Sequence, residues 1–244
     1  MSVAGVVAAL GAEARTLGPA GKRSDGLLRL GDGTLATVSG MGPEAAESAA
    51  KRLVAAGATA LVSWGMAGGL DPTLPAGTIC VPELVIAPDG ASFSTDHHWR
   101  ELTTAAIVSR RTVVRGKLLS SSWAIEDVAG KAAAFRKTGA AVVDMESAAV
   151  ARVAAAHALP FLAVRVIVDT AADALPAAVG AATGTGGLRM SRLVIGILKS
   201  PSELRPLLRL ASRYRTAIRS LRAVAASGAL APLEIAAGSP SRIA

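Results

Sequence analysis

Residues 142–169 read VVDMESAAVARVAAAHALPFLAVRVIVD. An apolar strand pattern ends at Val143, and Glu146 opens a helix of small residues. The segment from Pro160 to Val168 is a nearly all-apolar strand with Asp169 at its far end. Strand, helix and strand follow in close succession as one unit. A carboxylate at the carboxyl end of a buried strand sits where open α/β sheets bind ligands. Two acids delivered to one cleft this way point to an enzyme with a polar, sugar-like substrate.

Outward from this unit the same alternation continues. Val3–Leu10 is an apolar run and reads as a first buried strand. Leu27–Leu30 and Leu35–Ser39 flank Gly31-Asp32-Gly33, a hairpin signal. Pro43 suits a first helical residue, and that helix is expected to stop at Gly57. Ala60–Trp64 reads as a strand followed by a Gly-Met-Ala-Gly-Gly turn at 65–69. Thr78–Ala87 and Val113–Leu119 read as further strands. Ser122 is the expected cap of a helix ending near Thr138, with Gly139 as its stop. Then come strand 140–143, helix 145–157 and strand 160–168. This order argues for an α/β fold on a mainly parallel sheet, buried on both faces.

Composition narrows the class. The chain has 244 residues, 51% hydrophobic and only 3% aromatic. It can bury a full core, with Ala and Gly favouring close helix–sheet packing. The single cysteine, Cys80, excludes an internal disulfide framework and reads as a small buried hydrophobe. No signal peptide is visible at MSVAGVVAAL, which suggests the cytoplasm. The longest uncharged run, Leu53–Leu70, is interrupted by Gly57, Gly65, Gly68 and Gly69 and reads as a helix end, a turn and a buried strand rather than a membrane span. His97 and His98 have no metal-ligand spacing and read as an exposed loop; no metal site is expected.

The formal charge of +8 is segregated. Residues 1–184 hold 16 basic and 16 acidic side chains, whereas 185–244 hold 10 and 2. The neutral body and the basic tail are therefore expected as two units, 1–184 and 185–244, separated by the low-complexity stretch 174–187. In the tail, Ser200-Pro201-Ser202-Glu203 is a capping-box pattern. After it, Leu204, Leu207, Leu210, Ala211, Tyr214, Ile218, Leu221 and Ala225 share one helical arc. Arg205, Arg209, Arg213, Arg215, Arg219 and Arg222 share the other, and Pro206 is expected to kink the start.

Four separated motifs carry a family resemblance: AALGAEA with Glu13, GMAGGLDP at 65–72, DMESAAVA at 144–151 and RVIVDTAAD at 165–173. They resemble the nucleoside phosphorylase/nucleosidase superfamily, which cleaves the bond between a base and C1′ of a ribose. The resemblance implies a single-domain, three-layer α/β sandwich with a mixed, largely parallel sheet flanked by helices, here with basic amphipathic C-terminal helices added. It also implies roles. Met145 and Glu146 lie along the ribose, the carboxylate accepting from its hydroxyls. Asp169 protonates or hydrogen-bonds N7 of the departing purine, a task for a carboxyl with a raised pKa. Glu13 positions the nucleophile, Gly68 lines the substrate site, and Trp123 stacks on the base. Such stacking is worth about 1–3 kcal/mol per base. Arg15 and Gly42 are the candidate phosphate contacts. No metal or organic cofactor is implied, with inorganic phosphate the only candidate co-substrate.

Each residue also has a second reading. Glu13 and Glu146 suit the first turn of a helix, Asp169 a helix cap, Trp123 a core position and Gly68-Gly69 a turn. Two departures from the nucleosidase pattern stand out. Val168 replaces a frequent Ser, and Met66 stands where Ser or Thr touches phosphate or water. The tail is similar to that of the hopanoid-associated phosphorylases, which remove adenine from adenosylhopane. That resemblance implies a lipid-linked adenosine nucleoside as substrate and peripheral contact of 200–225 with an anionic membrane at the inner face. The helix has a second reading, its apolar face packed on the body and its arginines in solvent. The alternatives are a thioadenosine nucleosidase, a general purine nucleoside phosphorylase, and a non-catalytic membrane-surface nucleoside-binding protein. No nucleic-acid partner is expected, and a homo-oligomer, dimer or larger, is implied.

Overall fold

The computed structural model describes residues 2–19, 23–24, 26–31, 33–109, 111–175, 183–184, 187–188 and 204–230. Its strands are β1 (Ala4–Ala8), β2 (Arg23–Ser24), β3 (Leu27–Arg29), β4 (Leu35–Val38), β5 (Ala60–Gly69), β6 (Ile79–Cys80), β7 (Leu84–Ile86), β8 (Ser92–Ser94), β9 (Val113–Val114), β10 (Lys117–Ser120), β11 (Ala140–Asp144), β12 (Phe161–Asp169), β13 (Thr183–Gly184) and β14 (Gly187–Leu188). Its helices are α1 (Gly11–Ala14), α2 (Pro43–Ala55), α3 (His97–Val108), α4 (Val128–Thr138), α5 (Ser147–Ala156) and α6 (Leu204–Ala226), with a 3₁₀ turn at Arg15–Leu17.

β5 organises the sheet. Its first half pairs in parallel with β1, and Leu61–Gly68 pairs in parallel with β12. Its last residues, Gly68 and Gly69, pair antiparallel with β11. β4 continues the parallel run beyond β1, and β3 joins β4 antiparallel as the expected hairpin. β10 and β7 extend the sheet in parallel past β11, with β8 antiparallel at the edge. The sheet is mixed and largely parallel.

Alternation along the strands builds two cores. Val7, Leu61, Phe161, Ala163 and Ile167 face Ala46, Ala49, Ala50 and Leu53 of α2 and the small residues of α5. Ala4, Val6, Val62, Trp64, Leu162, Val164 and Val166 face the other way, against Trp99 and Ile107 of α3 and Ala217, Leu221 and Val224 of α6. Helices thus cover both faces, the three-layer sandwich expected. Ala and Gly on the helix–sheet seams permit close approach: a Cβ on Gly5 would lie 2.8 Å from that of Ala58.

Several elements differ from the sequence reading. The stretch 65–69 is strand, not turn, because β12 and then β11 give its backbone partners throughout. Thr78–Ala87 divides into β6 and β7 around Pro82, which has no N–H for a ladder. Val113–Leu119 divides into β9 and β10, with Gly116 at φ 114° between them. Asp127, not Ser122, caps α4, accepting from Gly130 N at 2.7 Å. His97 and His98 are exposed as expected, but they open α3, which Asp96 caps through Trp99 N at 2.8 Å.

The C-terminal helix packs on the body. Trp99 Nε1 donates to Ala229 O at 3.1 Å, and Ser220 Oγ to Gly77 O at 3.0 Å. Ala217, Leu221 and Val224 are fully buried, while Arg209, Arg215, Arg219 and Arg222 are exposed. Ala211, expected on the apolar arc, is exposed. The capping box at 200–203 and residues 189–199 lie outside the described residues. Among the described residues no helix is long and apolar enough to cross a membrane.

Candidate active site

The carboxyl ends of β1, β5, β11 and β12 converge, and each delivers an acid or a partner for one. Glu13 follows β1 in α1, a short helix that begins at Gly11. Its Oε2 accepts from Leu10 N at 2.9 Å, so the first-turn reading holds in part. Its Oε1 accepts from Met66 N of β5 at 2.8 Å, which ties it to the site as well. Burial pushes the Glu13 carboxyl above its ordinary range, against the opposing charge of Arg165.

Glu146 precedes α5 without capping it. Asp144 supplies that cap instead, accepting from Ser147 N. The Glu146 carboxylate turns to the site: Oε1 accepts from Gly42 N at 3.0 Å, and Oε2 lies 3.6 Å from Arg165 Nη2. Burial raises its pKa to about 7, with Arg165 opposing and Asp144 reinforcing the rise. Met145 beside it is half-buried.

Arg165, a lone charge inside the apolar run FLAVRVIVD, holds this cluster together. It is 1% exposed and lies 2.6 Å from Asp144 and 2.7 Å from Ser63 Oγ. A buried guanidinium needs such partners, and one carboxylate does not satisfy its five donors. Despite burial, the charges of Asp144, Glu146 and Glu13 raise its pKa. Gly65 explains part of the GMAGG motif. A Cβ there would come within 2.6 Å of Glu13 Oε1 and 2.7 Å of Arg165 Nη1.

Asp169 ends β12 opposite Gly68. It caps no helix; its Oδ2 forms an ion pair with Lys131 Nζ of α4. Burial raises its pKa, and Lys131 and its hydrogen bond pull the other way. A Cβ on Gly68 would lie 3.2 Å from Asp169 Oδ2, so glycine keeps that face open to the carboxyl. The three expected acids, with Gly68, therefore share one end of the sheet.

Other expected contributors stand differently. Trp123 is 75% exposed, which removes its core reading and leaves a free indole face in the loop between β10 and α4. Gly42 offers its N–H to Glu146, so that amide serves the carboxylate rather than an anion. Arg15 is exposed. Cys80 is fully buried, its thiol pushed up to about 12 by burial, which fits the inert reading. Sequence reasoning missed Lys131, Asp144 and Arg165. A charge within an apolar strand was a usable signal for Arg165; Lys131 in AGKAAAF gave none.

Chemically, the cluster offers carboxylates to accept from hydroxyls, one acid with a raised pKa to serve a leaving group, and another to draw a proton from a nucleophile. Among the described residues no three His, Cys, Asp or Glu side chains are grouped to hold a metal. Surface hollows of about 550 Å³ on α2 and about 370 Å³ beside β8 lie elsewhere. Chemistry rather than concavity locates this site.

The fold is shared with solved nucleosidases. A 5′-methylthioadenosine/S-adenosylhomocysteine nucleosidase from Neisseria meningitidis, in complex with methylthio-immucillin-A, superposes with a TM-score of 0.72 at 17% identity, over 95% of this chain and 99% of that one. The corresponding nucleosidase from Helicobacter pylori gives 0.68 at 16% identity, over 92% and 97%. Futalosine hydrolase from the same organism gives 0.68 at 15%, over 91% and 97%. No curated protein matched the sequence. The model of the phosphorylase superfamily matches residues 26–199, most of the chain, and the chain belongs to that superfamily.

Proposed function

We propose that this protein releases the purine base from an adenosine-type nucleoside, with water as the nucleophile and the lipid-linked nucleoside adenosylhopane as substrate. As a member of the phosphorylase superfamily it is an enzyme of nucleoside N-glycosidic bond cleavage. The observation that carries the reading is the convergence of Glu13, Glu146 and Asp169 at one sheet end around Arg165 and Gly68. Glu146 accepts from the ribose hydroxyls with Met145 alongside. Asp169 serves N7 of the purine, because an anionic adenine leaves poorly. Glu13, buried and of raised basicity, takes the proton of the attacking water. Trp123 covers the base. No metal or organic cofactor takes part.

Water is favoured over phosphate on two grounds. The Gly42 amide already binds Glu146, and Met66 supplies an apolar side chain where an anion contact would be needed. Arg15 remains the candidate anion contact. The exposed basic face of α6 supports a substrate held at an anionic membrane, reached from the cytoplasmic side by a homo-oligomer. The Neisseria meningitidis and Helicobacter pylori nucleosidases are solved with methylthio-immucillin-A and butyl-thio-DADMe-Immucillin-A, so methylthioadenosine is the second reading.

The test is adenine release from adenosylhopane and from methylthioadenosine, each with and without phosphate. Phosphate-independent release from adenosylhopane is expected, with D169N folded and slower by about 10²-fold or more. Preference for methylthioadenosine moves the substrate assignment. Full activity of D169N removes Asp169 from the chemistry.

A further inference from the structure

Lys131 is the most unusual charged residue of the fold. It lies in the second turn of α4, a helix otherwise made of small and surface residues, yet it is 0% exposed. A lysine stem on a helix ordinarily carries its ammonium to solvent. Here the stem runs inward and all three N–H donors find oxygen. One goes to Asp169 Oδ2, one to Thr170 O at 2.9 Å and one to Asp173 O at 2.8 Å.

These acceptors begin and end one turn, Asp169–Asp173. The turn is tied from within as well: the Asp173 carboxylate accepts from Thr170 N at 2.9 Å and from the Thr170 hydroxyl. From the opposite side, Arg213 of α6 forms an ion pair with Asp173. The segment that carries Asp169 is thus bracketed by cations from two helices.

A buried ion pair is a poor way to gain stability, since apolar residues of similar size often serve as well or better. Its position at the acid facing Gly68 gives it another use. We propose that Lys131 is a positioning residue for base release, fixing the Asp169 carboxyl at the cleft and setting the charge it sees. This rests on the proposed cleavage of a purine nucleoside. Lys131 touches no substrate in this scheme; it acts through Asp169. An ammonium can converge on three oxygens around one nitrogen, whereas a planar guanidinium cannot match that arrangement.

Among the described residues the groups that face Asp169 are few: Lys131 from α4 and Asp173 from its own turn, the latter carrying Arg213. Lys131 favours the ionised carboxyl and Asp173 disfavours it. Without Lys131 only a backbone hydrogen bond still opposes burial and the Asp173 charge, so the pH at which Asp169 loses its proton moves up.

The experiment measures adenine release by full-length wild type, K131M and K131R across pH. For K131M, kcat is expected to fall about 10²-fold, the scale of a misplaced catalytic group. KM should stay within about threefold, because the ribose contacts through Glu146 are untouched and so no ground-state binding is lost. The limb of the kcat profile that reports Asp169 should move to higher pH. K131R keeps a cation and should return that limb to its wild-type place while recovering only part of the rate. A merely structural lysine would change stability or KM and leave the limb where it was. K131Q, which keeps a donor in the cavity, takes the same measurements if K131M does not fold. Superimposable pH profiles, or an unchanged kcat in a folded variant, overturn the inference alone. A wild type that releases no base from any purine nucleoside overturns the reading of the site, and this inference with it.

Discussion

Glu146 is a carboxylate buried against another carboxylate, and this sets a pH dependence. Its pKa is raised to about 7 from an ordinary 4.5, chiefly by burial. Between those values the unfolded chain has released the proton and the folded chain has kept it. The folded state binds more protons, so this residue's contribution to stability falls as pH rises from about 4.5 to about 7. Function runs the other way. Only the ionised carboxylate accepts from both ribose hydroxyls, so substrate binding should weaken as pH drops through about 7. E146Q should flatten both dependences. A pH series of KM and of thermal melting for wild type and E146Q checks this, and parallel curves for the two proteins would contradict it. At this scale the sequence was partly legible. Glu13, Glu146 and Asp169 follow strand ends, where topology places ligand sites. Their cationic partners were not. Arg165 sits nineteen or more positions from the acids it binds, and Lys131 reaches Asp169 only because α4 folds over the end of β12.

β5 shows how an element's glycines follow from the side chains around them. Gly-Met-Ala-Gly-Gly has the composition of a turn, and turn chemistry is what local sequence displays. The strand continues because β12 pairs along almost all of it, a long-range fact that composition does not encode. The glycines are needed for space: Gly65 leaves room for Glu13 and Arg165, and Gly68 for Asp169. G65A should therefore disturb the acid cluster before it disturbs the sheet. Overpacking of this kind costs about 1–3 kcal/mol, and here it presses on charged groups with no slack. The expected result is a folded protein with a modestly lowered melting temperature and a large loss of kcat. Retained kcat in G65A would mean that Glu13 and Arg165 are free to move apart. The division of Thr78–Ala87, read as one strand, had by contrast a local signal that was passed over, since Pro82 has no N–H for a ladder.

At the scale of the whole molecule, the charge asymmetry becomes a surface. The basic helix α6 is part of the sandwich: Ala217, Leu221 and Val224 lie in one core with Trp64 and Val164. Arg215, Arg219 and Arg222, spaced four and three apart, remain exposed along its outer side with Arg209 and Leu208. Periodicity alone left open whether the apolar arc faced the body or a lipid. Packing turns Leu221 and Ala225 of that arc, with Ala217 and Val224, to the body and leaves the arginines for a partner. This changes how a membrane role is tested. Removing the helix would uncover apolar core, and even one buried leucine truncated to alanine costs about 2–5 kcal/mol. Charge reversal on the outer side leaves the core untouched. R215E/R219E/R222E should fold like wild type and cleave a water-soluble adenosine nucleoside at the same rate. It should no longer sediment with vesicles rich in anionic lipid, since each juxtamembrane basic residue contributes roughly 1 kcal/mol at such a surface. Its turnover of a substrate embedded in those vesicles should fall in step. Equal sedimentation of wild type and variant would remove the membrane from the account, and the arginines would then be a solvated helix face.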